Sequence, residues 1–262
     1  MSKEIAIVFG ASGFLGSHVA EALSSDGYQV RLFDRTPSDF KRSDQEMIVG
    51  DIMNLEDVTK AIQGASIVYN FAAIADIDEA NEKPLATAEV NILGNMNVLE
   101  ASRLAGVRRF IFASSVYVYS ESGSFYRASK QAAERFIETY QDRYGLDYTI
   151  LRYGSLYGRR TDDRNGIYRM LHEAIEKRSI TYKGSGEAIR EYIHVEDAAR
   201  MSVQVLGPEF ANRHLILTGQ ERMRIKDVMT MISEIMPWPV KLHFDEANTL
   251  HHYEITPYAF QP

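Results

Sequence analysis

The chain has 262 residues, of which 45% are hydrophobic and 25% are charged, and this composition is ordinary for a globular protein with a sizeable core. Its formal net charge of -7, without a block of like charges, argues against a nucleic-acid-binding surface and favours small-molecule chemistry. The chain contains no cysteine, which excludes disulfides, cysteine nucleophiles and thiolate metal sites. We see neither a signal-peptide pattern nor an apolar stretch of the ~20 residues that span a bilayer, so we expect a cytoplasmic protein without a membrane anchor.

The first predicted element is a strand over Ile5–Phe9, followed by a glycine-rich turn and an amphipathic helix over 14–23. The turn consists of Gly10, Ala11, Ser12, Gly13, Phe14, Leu15 and Gly16. Glycine is needed where the backbone takes a positive φ, where it approaches a pyrophosphate and where the helix packs closely on its strand. The amide groups at the start of such a helix bind phosphates, so we predict a dinucleotide-binding turn.

The second predicted strand, 29–33, leads directly into Asp34. A carboxylate at this position accepts hydrogen bonds from the adenosine ribose of NAD and repels the 2′-phosphate of NADP. Arg35 follows at once, and a guanidinium can receive that phosphate instead. We predict NAD as the cofactor, and Arg35 keeps NADP as the alternative.

Short apolar runs alternate with helical patterns through about the first 150 residues, which predicts βαβ units and a doubly wound parallel sheet. Further strands are predicted at 47–49, 67–71, 109–112 and 148–151, and further helices at 85–104 and 129–140. The pattern loosens after about residue 155. We therefore expect an α/β fold with a dinucleotide-binding domain over 1–155 and a smaller substrate-binding lobe over 156–262, part of which returns to the first domain.

Three polar residues near the middle of the chain form a candidate catalytic set. Ser115 follows the strand 109–112, and Tyr126 and Lys130 form a Tyr-x-x-x-Lys pattern. On a helix, this spacing puts Lys130 one turn from Tyr126, where an ammonium can lower the pKa of the phenol. A phenol with a pKa of about 10 needs such tuning to act as a base at neutral pH. Ser115 can hydrogen-bond the substrate oxygen that loses the proton, so we predict a proton-transfer site.

Taken together, these motifs resemble the extended short-chain dehydrogenase/reductase family, and within it the NAD-dependent epimerase/dehydratase group that acts on nucleotide sugars. The resemblance implies a Rossmann domain that binds NAD, with Tyr126 and Lys130 touching the cofactor. It adds further cofactor-binding residues, namely Asp51, Ile52, Phe71, Ala72, Ala73, Asn91 and Tyr153. It also implies substrate contacts from Ser115, Ser155 and Arg190.

By this resemblance Arg190 clamps the diphosphate of the substrate, and a guanidinium suits phosphate oxygens because it offers paired donors. The alternative for Arg190 is a surface salt bridge to Glu187 or Glu191. The resemblance further implies a homodimer, formed through the helices around 85–104 and 129–143. His243, His251 and His252 do not have the spacing of a metal site, so we expect no metal. The sequence ends without the closing helix of many family members, which indicates a truncated C-terminus.

Two positions depart from the dehydratases of this family. Val116 and Tyr117 stand where those enzymes carry an acidic pair, so water elimination is disfavoured, and decarboxylation with it. Our leading hypothesis is an NAD-dependent nucleotide-sugar epimerase that acts at C4 through a keto intermediate. An NAD(P)-dependent sugar dehydrogenase or 4-keto-sugar reductase remains an alternative, and a non-catalytic NAD-sensing protein is a third.

Overall fold

The structure is a computed structural model that describes residues 3–246 and 253–254. His251 and His252 lie outside the described residues, and so does the segment 255–262 on which the expected C-terminal truncation depends.

Strands and helices alternate through the described residues. The strands are β1 Ile5–Phe9, β2 Gln29–Asp34, β3 Glu46–Val49, β4 Ile67–Asn70, β5 Arg109–Ser115, β6 Tyr148–Tyr153, β7 Ser155–Tyr157, β8 Ser179–Lys183, β9 Ile189–His194, β10 Arg213–Leu217, β11 Arg222–Arg224 and β12 Lys241–Asp245. The α-helices are α1 Phe14–Ser25, α2 Leu55–Ile62, α3 Ile77–Glu82, α4 Pro84–Ala88, α5 Asn95–Leu104, α6 Ser124–Tyr144, α7 Gly166–Glu176, α8 Val195–Gln204 and α9 Ile225–Ile235. A π-helical segment covers Glu89–Gly94, and 3-10 turns cover Val116–Tyr119 and Pro208–Phe210.

The central sheet is parallel, and its seven strands within the described residues follow the order β10-β6-β5-β4-β1-β2-β3. The chain runs outward from β1 to β3 and then returns to β4 on the other side of β1. In sheets of this kind, ligands bind at the carboxyl ends of the strands where the order reverses. The predicted doubly wound sheet is confirmed, and its binding crevice lies between β1 and β4.

Helices cover both faces of this sheet because successive strand residues point to opposite sides. Ala6 and Val8 of β1 are buried in one apolar cluster with side chains of α1 and α8. Ile7 and Phe9 are buried in a second cluster with side chains of α2, α5 and α6. Helix α6, which carries two of the predicted catalytic residues, is therefore fixed to the sheet by its apolar face.

The part of the chain after β6 builds a smaller lobe on two short sheets, β11-β9-β7 and β12-β8. Helices α7 and α9 pack with these strands around a third apolar cluster that includes Met170 and Met229. Only Gly154 separates β6 from β7, so the lobe begins at the carboxyl end of β6. Strand β10 then rejoins the central sheet beside β6. Among residues 3–246, no helix combines the length and the apolar character that a bilayer crossing requires.

Two helices differ from the prediction. The helix predicted at 85–104 is interrupted, and the helix predicted at 129–140 is longer than expected. Instead of a continuous helix over 85–104, the chain forms α4, the π-helical segment and α5. The side chain of Ile52 packs so closely on Gly94 that a Cβ there would lie 2.6 Å from Ile52 Cδ1. Helix α6 extends beyond the predicted 129–140 in both directions, and Gly145 ends it with a φ of 72°. Tyr126 therefore lies within the helix.

The close packing of α1 on β1 makes a prediction about Gly16. A Cβ at this position would lie 2.2 Å from the carbonyl oxygen of Gly10, a backbone atom that cannot rotate away. We expect Gly16→Ala to lower the free energy of unfolding by roughly 1–3 kcal/mol, the range typical of overpacking, as measured by urea denaturation.

Gly166→Ala is the matched control, because Gly166 begins α7 and a Cβ there meets no atom within 4 Å. We expect this control to change stability by less than about 1 kcal/mol. Equal stability of the two variants would contradict the close contact between α1 and β1.

Candidate active site

The glycine turn after β1 has the backbone conformation that the sequence predicts. Gly10 has a φ of 77°, and its amide donates to the carbonyl of Phe33 over 3.0 Å. A Cβ on Gly10 would lie 2.7 Å from the amide nitrogen of Ala72, so the loops after β1 and β4 are in contact. In the described part of the chain, no side chain caps the first turn of α1, where Gly13 is the N-cap. The amide groups of that turn are available for an anion, which fits the pyrophosphate of a dinucleotide.

Asp34 is held at this turn by backbone hydrogen bonds. Its Oδ2 accepts from the amide of Ser12 over 2.9 Å, and its Oδ1 accepts from the amide of Arg35 over 2.7 Å. The hydroxyl of Ser12 donates to the carbonyl of Thr36 over 2.7 Å, which ties the following loop to the same turn. The carboxylate therefore has a fixed position beside the start of α1, while Arg35 remains exposed.

The other cofactor residues implied by the resemblance after β3 and β4 lie near the same edge of the sheet. Asp51 and Ile52 follow β3, and Asp51 Oδ1 accepts from the amide of Met53 over 2.9 Å. Phe71, Ala72 and Ala73 follow β4. The structure thus brings the segments after β1, β2, β3 and β4 to one crevice.

Asn91 supports this crevice through bonds within the protein. Its Oδ1 accepts from the amide of Ile74 over 2.8 Å, and its Nδ2 donates to the carbonyl of Ile74 and to Ser129 Oγ. Ser129 Oγ in turn donates to the carbonyl of Tyr126 over 2.8 Å. Asn91 therefore connects the loop after β4 to the helix that carries Tyr126.

Tyr153, which the resemblance implies as a cofactor contact, is buried in the apolar core. Its hydroxyl is 2.6 Å from Ser202 Oγ, and its ring packs in the cluster beneath α8. Burial raises the pKa of this phenol well above its usual range. The hydroxyl of Tyr153 is therefore hydrogen-bonded to Ser202 of α8, and the cofactor contact implied for this residue stays a prediction.

The three predicted catalytic residues meet at the carboxyl end of β5. Ser115 is the last residue of β5, and its side chain is hydrogen-bonded to the phenol of Tyr126. Lys130 Nζ donates to the carbonyl of Ala113 over 2.7 Å and lies 5.8 Å from the centre of the Tyr126 ring. Tyr126 and Lys130 are only 9% and 4% exposed. The structure therefore assembles the set in a nearly dry environment.

The pKa values of this set differ from the expectation based on spacing. Burial raises the pKa of Tyr126 to about 12, and the hydrogen bond from Ser115 opposes this shift only in part. Burial also lowers the pKa of Lys130 to about 8, against the attraction of the Glu134 carboxylate. In the chain by itself, desolvation disfavours both charged forms and outweighs any lowering of the phenol pKa by Lys130, so the predicted tuning of Tyr126 by Lys130 stays a prediction.

Arg190 is a buried cation on β9 and is 7% exposed. Its guanidinium donates to the carbonyls of Ile189 and Tyr253 over 2.8 and 2.6 Å and lies 4.2 Å from the centre of the Tyr253 ring. The predicted alternative of a surface salt bridge is wrong, because Glu187 pairs with Lys226 and Glu191 pairs with Arg222. Arg190 thus lacks a carboxylate partner among residues 3–246 and 253–254.

An aromatic wall, formed by Tyr117 and Tyr253, connects Arg190 to the catalytic set. The ring of Tyr117 lies 4.8 Å from that of Tyr253 and 6.3 Å from that of Tyr126. The phenol of Tyr253 is hydrogen-bonded to Ser155, a predicted substrate contact. Ser155 and Arg190 therefore share one site with Tyr126. Sequence reasoning missed Tyr253, which belongs to no local motif.

Sequence reasoning also missed a buried ion pair behind Lys130. Glu134 accepts from Ser114 Oγ over 2.5 Å and from Arg152 Nε and Nη2 over 3.0 and 2.6 Å. Two features of the sequence could have indicated this pair. Glu134 lies one helical turn after Lys130, and Arg152 is a charged residue within an otherwise apolar strand.

Similarity to known proteins identifies the family. The model of the NAD dependent epimerase/dehydratase family matches residues 6–215. The UDP-glucose 4-epimerase of Mycolicibacterium smegmatis is 29% identical over 77% of this chain and 73% of its own length. The UDP-glucuronate 4-epimerase of Thermodesulfobacterium geofontis is 28% identical over 92% of this chain and 84% of its own length.

Among solved structures, the UDP-glucose 4-epimerase of Thermus thermophilus in complex with NAD superimposes with a TM-score of 0.84. It is 25% identical, and the match covers 97% of this chain and 90% of that one. The glycine turn, Asp34 and the Tyr126–Lys130 pair lie within the matched family region. The chain therefore belongs to the NAD dependent epimerase/dehydratase family and is an NAD-dependent enzyme of the extended short-chain dehydrogenase/reductase type.

Proposed function

We propose that this enzyme is a nucleotide-sugar 4-epimerase that takes a uridine diphosphate hexose or hexuronate. The observation that carries the proposal is the single site in which Tyr126, hydrogen-bonded to Ser115, is joined to Arg190 through the aromatic wall. Arg190 is a buried cation without a carboxylate partner in the described residues, and a diphosphate supplies the missing negative charge. The related proteins named above, which act on UDP-glucose or UDP-glucuronate, support this substrate class.

In this proposal the residues of the chain orient the sugar and move a proton. NAD, when bound, supplies a hydride acceptor and a positive charge. Tyr126 takes the proton of the sugar hydroxyl as the hydride leaves, and it returns that proton after the keto sugar has presented its other face. Ser115 orients the sugar oxygen through a hydrogen bond. Because burial raises the pKa of Tyr126 to about 12, the neutral phenol has to release its own proton to solvent before it can accept that of the sugar, and this ionisation requires positive charge close by.

The side chains next to Ser115 favour epimerisation over elimination. Val116 is buried and apolar, and Tyr117 packs against Tyr126. Burial and neighbouring tyrosines raise the pKa of Tyr117 above its usual range, so it is neutral at physiological pH. Neither residue offers the acid and base that loss of water requires. We further propose that residues 1–155 bind the cofactor and that residues 156–262 form the lobe that binds the nucleotide sugar.

Turnover without added cofactor tests the proposal. We expect the purified enzyme to interconvert UDP-glucose or UDP-glucuronate with the C4 epimer, followed by chromatography and NMR, without accumulation of NADH. Tyr126→Phe removes the phenol and keeps the ring, so kcat should fall by at least the ~100-fold typical of a general base, with NAD affinity nearly unchanged. Tyr168→Phe on α7 is the control and should retain full activity.

Other products would identify the alternatives. Stoichiometric NADH with an oxidised sugar would establish a dehydrogenase, and NADPH-dependent consumption of a keto sugar would establish a reductase. Tight NAD binding without turnover of any nucleotide sugar would support an NAD-sensing protein. Near-normal turnover by Tyr126→Phe would exclude Tyr126 from the mechanism.

Cofactor preference depends on Asp34. Its carboxylate is fixed beside the glycine turn, so it should penalise the 2′-phosphate of NADP by charge repulsion. By calorimetric titration we expect NAD to bind at least ~10-fold more tightly than NADP, which is about 1.4 kcal/mol. Asp34→Asn should abolish this preference, whereas Asp39→Asn, an exposed carboxylate in the same loop, should keep it. Equal or tighter binding of NADP by the unchanged enzyme would show that Arg35 outweighs Asp34.

We also propose a homodimer formed by the outer faces of α5 and α6. Phe125 and Phe136 are exposed on α6 and are separated by about three turns, so they project from the same side of the helix. Leu93, in the π-helical segment before α5, and Leu104, the last residue of α5, are also exposed. Apolar side chains aligned in this way are typical of protein interfaces, and the family resemblance supports a dimer contact on these helices.

Light scattering after size exclusion tests the dimer. The unchanged chain should elute with twice its monomer mass, and Phe136→Glu should elute as a monomer because it buries a charge in the proposed contact. Ile235→Glu, on the exposed side of α9, should leave the mass unchanged. A monomeric unchanged chain, or a Phe136→Glu variant that remains dimeric, would contradict this interface.

A further inference from the structure

Glu134 occupies an unusual place for a carboxylate. It lies on α6 one turn after Lys130 and two turns after Tyr126, and it is 3% exposed. A buried carboxylate is unfavourable unless its oxygens are hydrogen-bonded and its charge is balanced. Glu134 meets both conditions through Ser114 and Arg152, which lie on the neighbouring strands β5 and β6.

These hydrogen bonds connect Glu134 to residues adjacent to the catalytic set. Ser114 directly precedes Ser115, and Ala113, whose carbonyl accepts from Lys130 Nζ, precedes Ser114. Arg152 also donates to the hydroxyl of Tyr119, in the 3-10 turn that carries Tyr117. Glu134 is therefore the point at which α6, the end of β5 and the turn after β5 are joined.

Few groups stabilise the charged form of Lys130 in this buried environment. Its ammonium donates to one backbone carbonyl and lies 4.8 Å from the centre of the Phe112 ring. The titratable side chains that interact with it in the described residues are Tyr126 and Glu134, both on α6. Arg152 of β6 is hydrogen-bonded to Glu134, and Tyr119 of the 3-10 turn is hydrogen-bonded to Arg152. Glu134 is the carboxylate among these side chains, and its attraction raises the pKa of Lys130 against the larger effect of burial.

We propose that Glu134 is a positioning residue that holds Lys130 against Ala113 and keeps it protonated during turnover, with Arg152 as its structural partner. The expected effect on the pH dependence of kcat rests on the proposed epimerase function. The expected effect on the pKa of Lys130 does not, because it concerns the protein without cofactor or substrate. Loss of the Glu134 charge leaves Arg152 without its salt-bridge partner and Lys130 without the carboxylate whose attraction raises its pKa.

The first test is an NMR titration of the cofactor-free protein labelled with 13C at lysine Cε, in which Lys130→Arg assigns the signal. The unchanged protein should show a midpoint near its pKa of about 8. Glu134→Gln keeps the shape of the side chain and removes its charge, so the midpoint should fall by roughly one pH unit. Glu134→Asp keeps the charge and should restore most of the shift. Glu138→Gln, one turn further along α6, is the control and should titrate like the unchanged protein.

The second test is the pH dependence of kcat for the epimerase reaction. Lys130 must be protonated, so activity should fall as the pH rises through its pKa, and Glu134→Gln should move this alkaline limb to lower pH. The double variant Glu134→Gln with Arg152→Met removes both charges. The alkaline limb of its kcat profile should therefore lie between that of Glu134→Gln and that of the unchanged enzyme. It also provides a folded comparison if the single variant is unstable.

The outcomes separate the two proposals. An unchanged Lys130 midpoint in both Glu134→Gln and the double variant would overturn the role of Glu134, even if the enzyme epimerises UDP-sugars. A lowered midpoint in a protein that turns over no nucleotide sugar would support the role of Glu134 and contradict the proposed function. Loss of stability in Glu134→Gln and Glu134→Asp alike, with an unshifted midpoint, would show a structural role only.

Discussion

The burial of Lys130 between α6 and β5 is the constraint on which the rest of the site depends. An ammonium that is nearly removed from water must keep a hydrogen bond and a counter-charge, and here these are the carbonyl of Ala113 and the carboxylate of Glu134. Because Lys130 belongs to α6 and Ala113 to β5, the hydrogen bond between them fixes the helix against the strand. That placement brings Tyr126, one turn before Lys130, to Ser115 at the end of β5. Catalytic geometry and helix packing are thus set by one buried charge.

A second buried cation lies at the other end of the site. Arg190 is surrounded by tyrosines and carbonyl groups, and no carboxylate of the described residues neutralises it. The protein as a whole is acidic, with a formal net charge of -7, so the positive charge at Arg190 is opposite in sign to the net charge of the chain. A diphosphate ester would meet Arg190 at one end and place its sugar near Tyr126 at the other, across the aromatic wall. The two cations therefore suit a substrate that is anionic at one end and loses a proton at the other.

The parts of the site that the sequence predicts are those governed by short-range spacing. Gly10 and Gly16 are needed for backbone contacts within one strand-turn-helix unit, and Tyr126 and Lys130 are related by one helical turn. The unpredicted parts depend on distant contacts. Ile52, 42 positions earlier in the chain, packs on Gly94 at the end of the π-helical segment. Tyr253 contacts Arg190 although it lies 63 positions later in the chain. The raised pKa of Tyr126 likewise follows from burial, which the Tyr-x-x-x-Lys spacing does not encode.

In the proposed reaction, hydride and proton leave and return within one active site. The most direct measurement uses UDP-glucose, or UDP-glucuronate, deuterated at C4 with purified enzyme and no added cofactor. We predict that the C4 epimer retains the deuterium at C4, and that it still does so in a second reaction to which unlabelled NADH is added. Deuterium recovered in free NADH, or an epimer that has lost its label, would contradict it.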